Sequence, residues 1–466
     1  MQQQPKPYKR KLLSHERRPF RGPNASVVLN VRIKGEVTVS ALRAAVKQVQ
    51  RRHRLLATRV ALDRDGTAWF TSDGAEEIVV DVVSRRSGEH WIEETLKGYR
   101  VPYEFDRRPP LRFILLHGPE RSDLVIMCHH MICDAMSLAY LARDVLVLLG
   151  DPAREVEILP DPPLANRENM PPNASTRLLA RLATRRLNHK WEQECILFDE
   201  QDYAGIVQAY WETYTPRVMA LEFSAAQTAG LVARCREQGV TVNTVLLAAL
   251  LSAQSAVQGN NKAYLHKVGT AMDIRSFLLN PPGEAFGFYA GGVLLRFKIP
   301  PRRSFWDGTR KLHKAIRRQL TPISVFAKLL AFDAITPTLF DGMIFKRYAR
   351  LVKPHHNRYT RLSAFRERRD VLTSYLKSNK KEQVRVGIVL SNLTRLPFPG
   401  TYKGLELERM MFLGAATEAY EKAVGVVTVS GRLSMMISYL EETVGTPTML
   451  AFRTALSDLL AKQVGW

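Results

Sequence analysis

Apolar positions in the first 150 residues alternate between a spacing typical of strands and one typical of helices. Runs of β-branched and other apolar residues predict strands, whereas apolar residues three and four positions apart predict helices. The predicted strands are 26–33, 56–62, 68–71, 78–83, 111–116 and 123–128, and the predicted helices are 40–54, 90–99 and 135–149. Ser40 is the predicted cap of the first helix, and Gly150 is the predicted stop of the third.

The second half of the chain shows the same mixture. Its predicted strands are 218–223, 266–272, 292–297, 384–391 and 424–429, and its predicted helices are 225–238, 242–255, 306–320 and 447–463. Because both halves mix helices and strands without an internal repeat, the sequence predicts an α+β protein.

Five prolines and little periodicity mark residues 158–175, which is typical of a connection between domains. A chain of 466 residues is also long for a single core. We therefore predict an N-terminal domain at 1–160, a linker or crossover at 161–190, and a C-terminal domain at 191–466.

Cysteine usage and the N-terminus indicate a cytoplasmic protein. The four cysteines show no spacing typical of a disulfide framework or a zinc site, so reduced thiols are expected. No run of 18 apolar residues is present, and the N-terminus is charged where a secretion signal needs an apolar stretch.

Positive charge is the extreme feature of the composition. The formal net charge is +23, and residues 301–380 contain 19 lysines and arginines against five acidic residues. Residues 176–190 add five basic residues and no acidic one. These clusters indicate an anionic partner, such as coenzyme A, an acidic carrier protein, a membrane surface or nucleic acid.

The most informative local pattern is His129-His130-x-x-x-Asp134, placed between a predicted buried strand and a predicted buried helix. An imidazole accepts a proton near neutral pH, and a carboxylate four residues later orients it or holds its loop. On the pattern alone, a structural histidine pair and a metal site lacking a third ligand both stay open beside catalysis.

These residues resemble the HHxxxD segment of the HxxxD acyltransferase superfamily, in particular condensation domains of nonribosomal peptide synthetases and free-standing polyketide-associated acyltransferases. Other segments agree with that branch in order and spacing. They are Arg52-His53-x-Leu55-Leu56-x-Thr58, Tyr103-Glu104-Phe105-Asp106, Pro110-Leu111-Arg112, Met272-Asp273-Ile274-Arg275, Phe286-Gly287-Phe288-Tyr289 and Val389-Leu390-Ser391-Asn392-Leu393. The resemblance spans nearly the whole chain.

The resemblance implies two domains similar to chloramphenicol acetyltransferase, arranged as a V around a central tunnel. It implies His130 as the general base, a structural ion pair between Asp134 and Arg275, and a supporting role for His129. The tunnel lining that we predict consists of Ala135, Tyr289, Ser391 and Asn392. Ala135 stands where the family usually has glycine, so its methyl group is expected to narrow one entrance.

The implied reaction is direct acyl transfer from a thioester, either acyl-CoA or the phosphopantetheine arm of an acidic acyl carrier protein, with no permanently bound cofactor and no metal. No adenylation or carrier segment adjoins the motifs in this sequence, so we expect a free-standing enzyme. By analogy with free-standing relatives, ester formation on a hydroxyl acceptor is favoured over amide formation on an amine.

The basic regions leave two further hypotheses. A helix at 306–320 has one side with Leu312, Ile316 and Leu320 and another with Lys311, Lys314, Arg317 and Arg318. This pattern is typical of peripheral contact with an anionic membrane, of contact with an acidic carrier protein, or of a solvated basic face. A noncatalytic nucleic-acid-binding protein is the alternative of another class. It is not favoured, since no helix-turn-helix, zinc finger or RNA-recognition motif accompanies the charge.

Overall fold

The positions of most strands and helices follow the apolar pattern of the chain. The computed structural model describes residues 7–172, 178–299, 304–353, 360–378 and 386–466 and, within them, all side chains except those of 178–181, 328 and 375–378. The strands are β1 Lys9–Lys11, β2 Ser26–Lys34, β3 Arg59–Leu62, β4 Ala68–Thr71, β5 Val79–Ser84, β6 Leu111–His117, β7 Arg121–His129, β8 Pro216–Phe223, β9 Lys267–Asp273, β10 Ala290–Arg296, β11 Val386–Arg395, β12 Thr401–Tyr402, β13 Leu405–Leu413, β14 Tyr420–Val429 and β15 Arg432–Leu440. The helices are α1 Ser14–Arg17, α2 Val39–Arg52, α3 His90–Gly98, α4 Ala135–Gly150, α5 Leu178–Glu194, α6 Glu200–Thr213, α7 Ala225–Glu237, α8 Val242–Gln258, α9 Phe305–Gln319, α10 Pro322–Asp333, α11 Pro337–Ala349, α12 Thr360–Glu367, α13 Val371–Ser378 and α14 Thr446–Val464.

Two six-stranded sheets organise the described residues. The first has the strand order β12-β13-β2-β7-β6-β5, and the second has the order β10-β9-β11-β14-β15-β8. Each is mixed, because β5 runs parallel to β6 in the first sheet and β11 runs parallel to β9 and β14 in the second. Helices α2 and α4 contact each other beside the first sheet, and α8 and α14 do so beside the second. The predicted α+β class is confirmed.

One strand from the second half of the chain lies in the first sheet. Strand β13 pairs antiparallel with β2, with Met411 opposite Asn30 and Leu413 opposite Val28. Its last four residues are buried, so the first sheet is completed by a segment nearly 400 positions away in sequence. The boundaries predicted at 160 and 191 stay a prediction, and any division must assign β12 and β13 to the first sheet.

Several local predictions were wrong at element ends. Thr38, not Ser40, caps α2, since its hydroxyl oxygen accepts a hydrogen bond from the backbone N–H of Ala41 at 3.2 Å. Leu56 lies in the 3₁₀ turn Arg54–Ala57 and not in a strand. The predicted 161–190 crossover stays a prediction, and helix α5, which begins at Leu178, lies partly within it.

The basic helix α9 does not present the apolar surface that a membrane helix needs. Its Leu312 and Ile316 are buried in the core under the second sheet, and its exposed side chains are all charged. This helix therefore has no free apolar face for a membrane, and its peripheral contact with an anionic membrane or an acidic carrier stays a prediction. Among the described helices, none is by itself long and apolar enough to span a bilayer, although the bent pairs α7 with α8 and α10 with α11 reach that length and composition together.

Candidate active site

The His-His-x-x-x-Asp segment forms a tight loop between a buried strand and a buried helix. Strand β7 ends at His129, and α4 starts after Asp134, whose Oδ1 accepts a hydrogen bond from the Ser137 N–H at 2.7 Å. The N–H of His130 donates to the Ala25 carbonyl at 2.7 Å, which ties the loop to the start of β2. Asp134 is thus the N-cap of α4, and its side chain is turned away from solvent.

His130 is held in one tautomer. Its Nδ1 lies 2.7 Å from the Cys133 carbonyl oxygen. Because a carbonyl only accepts, Nδ1 carries the proton and Nε2 of the neutral ring has a free lone pair. Within the described residues Nε2 has no hydrogen-bond partner, and it is not sealed from solvent. The Phe288 ring packs against the imidazole at a centroid distance of 4.6 Å.

Burial keeps His130 neutral. Desolvation lowers its pKa below the ordinary value of 6.5, and the positive charge of the nearby Arg18 adds to that lowering, while the Cys133 carbonyl and Asp134 oppose it. The Arg18 guanidinium lies 5.0 Å from the centroid of the Phe332 ring. An unprotonated Nε2 near neutral pH is the state that a general base requires.

His129 is enclosed on every side and does not reach the solvent. The Tyr103 and Phe105 rings meet it edge to face at centroid distances of 5.5 and 5.0 Å, and its Nδ1 accepts from the Met131 N–H at 3.3 Å. Desolvation lowers the pKa of His129 to about 3. A permanently neutral, packed ring fits the supporting role that the resemblance implied.

Asp134 and Arg275 form a buried ion pair between the two halves of the chain. Nη1 of Arg275 lies 3.0 Å from Asp134 Oδ2, and both side chains are less than a tenth exposed. The same carboxylate oxygen accepts from the Tyr289 N–H at 2.8 Å, and Arg275 also pairs with Asp273 at 3.1 Å. The implied pairing is present, and it orients α4 and its loop against the second sheet without touching His130.

Ser137 is a residue of this cluster that sequence reasoning missed. Its hydroxyl donates to the Gly287 carbonyl at 2.7 Å and accepts from the Arg275 guanidinium at 2.8 Å. A side chain on Gly287 would meet the Tyr289 ring at 2.6 Å, so glycine is needed there. Ser137 lies three positions after the capping Asp134. Because residues at this spacing share one face of a helix, the spacing was the clue that could have placed Ser137 in the site.

Two of the predicted lining residues flank the loop. Ala135 starts α4 and is almost fully buried, so its methyl group adds volume directly after Asp134. Tyr289 is buried as well, and its hydroxyl donates to the Pro163 carbonyl at 2.9 Å, which ties the proline-rich connection to the second half. Tyr289 therefore holds a backbone segment in addition to bordering the site.

The other two predicted lining residues lie on β11. Ser391 and Asn392 are half-buried, and the Asn392 side-chain oxygen accepts from the Thr394 N–H at 2.8 Å. Neither residue hydrogen-bonds to the His130 loop among the described residues. Their place in a tunnel, and the tunnel itself, stay predictions.

The thiols near the loop are free and packed. Cys128 and Cys133 are free and buried, and each lies 3.6 Å from the His129 carbonyl oxygen. Burial raises the pKa of Cys133 well above its ordinary value. Over the described ranges, no group of three or more histidine, cysteine or acidic side chains is arranged to hold a metal ion.

Two family models match the two parts of the chain that meet at this site. Residues 23–161 match the condensation domain, and residues 212–339 match the phthiocerol/phthiodiolone dimycocerosyl transferase C-terminus. Together these segments make up more than half of the chain. Over 148 residues the chain is 32% identical to the probable non-canonical nonribosomal peptide synthetase CymA of Salinispora arenicola, a match that spans 31% of this chain and 2% of that synthetase.

Solved structures share the fold over almost the full chain. Polyketide synthase associated protein 5 from Mycobacterium tuberculosis is 17% identical, with 97% of this chain and 98% of that chain covered and a TM-score of 0.58. Trichothecene 15-O-acetyltransferase from Fusarium sporotrichioides is 12% identical, with 98% of this chain and 96% of that chain covered and a TM-score of 0.64.

The two matched segments define a transferase that forms acyl esters or amides. The chain belongs to the branch of condensation domains and polyketide-associated proteins. The resemblance identified from the motifs is confirmed.

Proposed function

We propose that this protein transfers an acyl group from a thioester to a hydroxyl acceptor, with His130 as the general base. The observation that carries the proposal is the hydrogen bond from His130 Nδ1–H to the Cys133 carbonyl at 2.7 Å, which leaves Nε2 as a proton acceptor on the open side of the loop. The family membership supports acyl transfer in general.

In the proposed reaction Nε2 takes the hydroxyl proton while the alkoxide oxygen bonds to the thioester carbonyl carbon. The tetrahedral oxyanion collapses, the carbon–sulfur bond breaks, and the departing sulfur takes the proton from Nε2. No acyl-enzyme forms, in keeping with the buried, protonated thiol of Cys133. Asp134 and Arg275 act by holding the loop and are positioning residues.

The preference for a hydroxyl acceptor rests on names among the relatives. The family model that matches residues 212–339 is named for a transferase of mycocerosyl groups to phthiocerol and phthiodiolone, and the trichothecene enzyme is named as an O-acetyltransferase. An amine acceptor is the alternative, supported by the match to a peptide synthetase.

The decisive experiment offers the purified protein acyl-CoA esters of several chain lengths together with a primary alcohol or the primary amine of the same carbon skeleton. Thiol release and product mass would be followed in parallel, with an acyl carrier protein as a second donor. We expect ester from the alcohol. Amide alone would establish the alternative, and hydrolysis without either product would contradict the proposal.

The pH dependence should report the His130 environment. Because catalysis needs the neutral ring, activity is present above the pKa of His130 and is lost as the pH falls through it, so the acidic limb of kcat/KM should lie below pH 6.5. Arg18→Gln removes a positive charge that lowers this pKa, so the limb should move to higher pH.

The matched control is Arg18→Lys, which keeps the charge and should leave the acidic limb in place. Full pH profiles of kcat/KM for the three proteins check this. An unmoved limb in Arg18→Gln, or equal movement in both variants, would show that the charge of Arg18 does not act on the base.

A further inference from the structure

We infer that an exposed face of α5 is a docking surface for an anionic lipid membrane. This surface, called the α5 face below, consists of Leu182, Arg185, Arg186 and Lys190. The inference concerns where the protein binds and does not depend on the acyl transfer proposed above.

Among the described side chains of α5, those of Asn188 and Trp191 attach the helix to the rest of the protein. Asn188 donates to the Ala334 carbonyl at 2.7 Å and accepts from the Thr336 N–H at 3.1 Å. Trp191 is fully buried, donates to the Thr338 hydroxyl at 3.1 Å, and packs so closely that a side chain on Gly342 would meet its ring at 2.6 Å. The helix is therefore rigidly attached at 188–191, while the two preceding turns stay mostly exposed.

Charge on the α5 face is uncompensated. Arg185, Arg186 and Lys190 are exposed, and none of them forms an ion pair with a described residue. No acidic residue occurs in the helix before Glu192. Some exposed arginines elsewhere, such as Arg107 and Arg361, pair with nearby carboxylates. Cations left without partners on one helix face attract an anionic surface.

An apolar side chain among these cations points to lipid as the partner. Leu182 is 50% exposed on the same face of the helix. A helix with leucine beside unpaired lysine and arginine suits the boundary between headgroups and acyl chains, because the leucine is buried while the cations meet anionic headgroups. Helix α9 has comparable cations, but its Leu312 and Ile316 are already buried in the core.

The test is co-sedimentation of the full chain with phosphatidylcholine vesicles, with and without phosphatidylserine, in the absence of substrate. Arg185→Glu/Arg186→Glu should weaken partitioning to the anionic vesicles by at least roughly 25-fold, at about fivefold for each removed cation. Leu182→Ser should weaken it by roughly tenfold at unchanged charge. The matched control Lys311→Glu/Lys314→Glu makes the same charge change on α9, and its partitioning to anionic vesicles should fall only a few-fold.

Thermal unfolding should be unchanged in all variants, since the replaced side chains face solvent. The inference is overturned if the wild type does not bind anionic vesicles or if Leu182→Ser binds them as tightly as the wild type. It is also overturned if the α9 double variant loses as much vesicle binding as the α5 double variant. Retention on an acidic carrier protein or on nucleic acid without vesicle binding would also overturn it and would assign the α5 face to that partner.

Discussion

His130→Ala is expected to lower kcat/KM for acyl transfer by about 10²–10⁴-fold, which is the usual contribution of a positioned general base. The Cys133 carbonyl holds the imidazole so that Nε2 faces the open side of the loop, and alanine removes that proton acceptor while leaving the loop backbone in place. Product formation from the preferred thioester and acceptor, measured by mass spectrometry, checks the result.

The control for this variant is His117→Ala, the same replacement at the opposite end of the β6–β7 hairpin. It should retain full activity, and circular dichroism should show both variants folded. Activity within a few-fold of wild type in His130→Ala would remove His130 as the base. An equal loss in His117→Ala would point to a folding defect instead.

Asp134→Ala should lower the free energy of unfolding by about 3–5 kcal/mol, because the buried Arg275 guanidinium loses the buried carboxylate that it pairs with. The change also removes the N-cap of α4 and the acceptor of the Tyr289 N–H. Urea denaturation followed by tryptophan fluorescence measures the loss.

Asp273→Ala is the matched comparison, since it removes the second carboxylate from the same guanidinium. The Asp273 side chain is 37% exposed, so water replaces it and the loss should be about 1 kcal/mol or less. If both variants lose the same free energy of unfolding, the buried Asp134–Arg275 pair contributes no more stability than the exposed Asp273–Arg275 pair.

Much of the fold was predictable because the elements around the site are locally encoded. The runs at β6, β7 and α4 are almost uninterrupted apolar stretches separated by polar residues, and their predicted bounds differ from the observed ones by at most two residues. Strands β13 and β15 were missed. The β13 segment carries three charged residues at the end where its side chains are exposed, and this weakens the apolar pattern.

The candidate site was predicted in part. The motif and its family resemblance pointed to His130, Asp134 and Arg275, although 141 positions separate the members of the ion pair. Ser137, the Cys133 carbonyl and Arg18 were missed. The spacing of Ser137 from Asp134 was an available clue, whereas the role of a backbone carbonyl and the approach of a residue from the N-terminal segment leave no mark in the sequence pattern. Asn392 was predicted to line the site, and in the structure its side-chain oxygen bonds to its own turn.

The sequence by itself determined the α+β class, the strand–loop–helix that presents His130, and the excess of positive charge, because short-range periodicity and composition encode these features. Only the tertiary structure decided which nitrogen of His130 is free, which sheet receives β13, and which basic helix keeps an exposed leucine. Those outcomes depend on contacts that periodicity and composition do not encode: the bond from His130 to a carbonyl of its own tight loop, the pairing of β13 with β2, and the burial of the α9 apolar face.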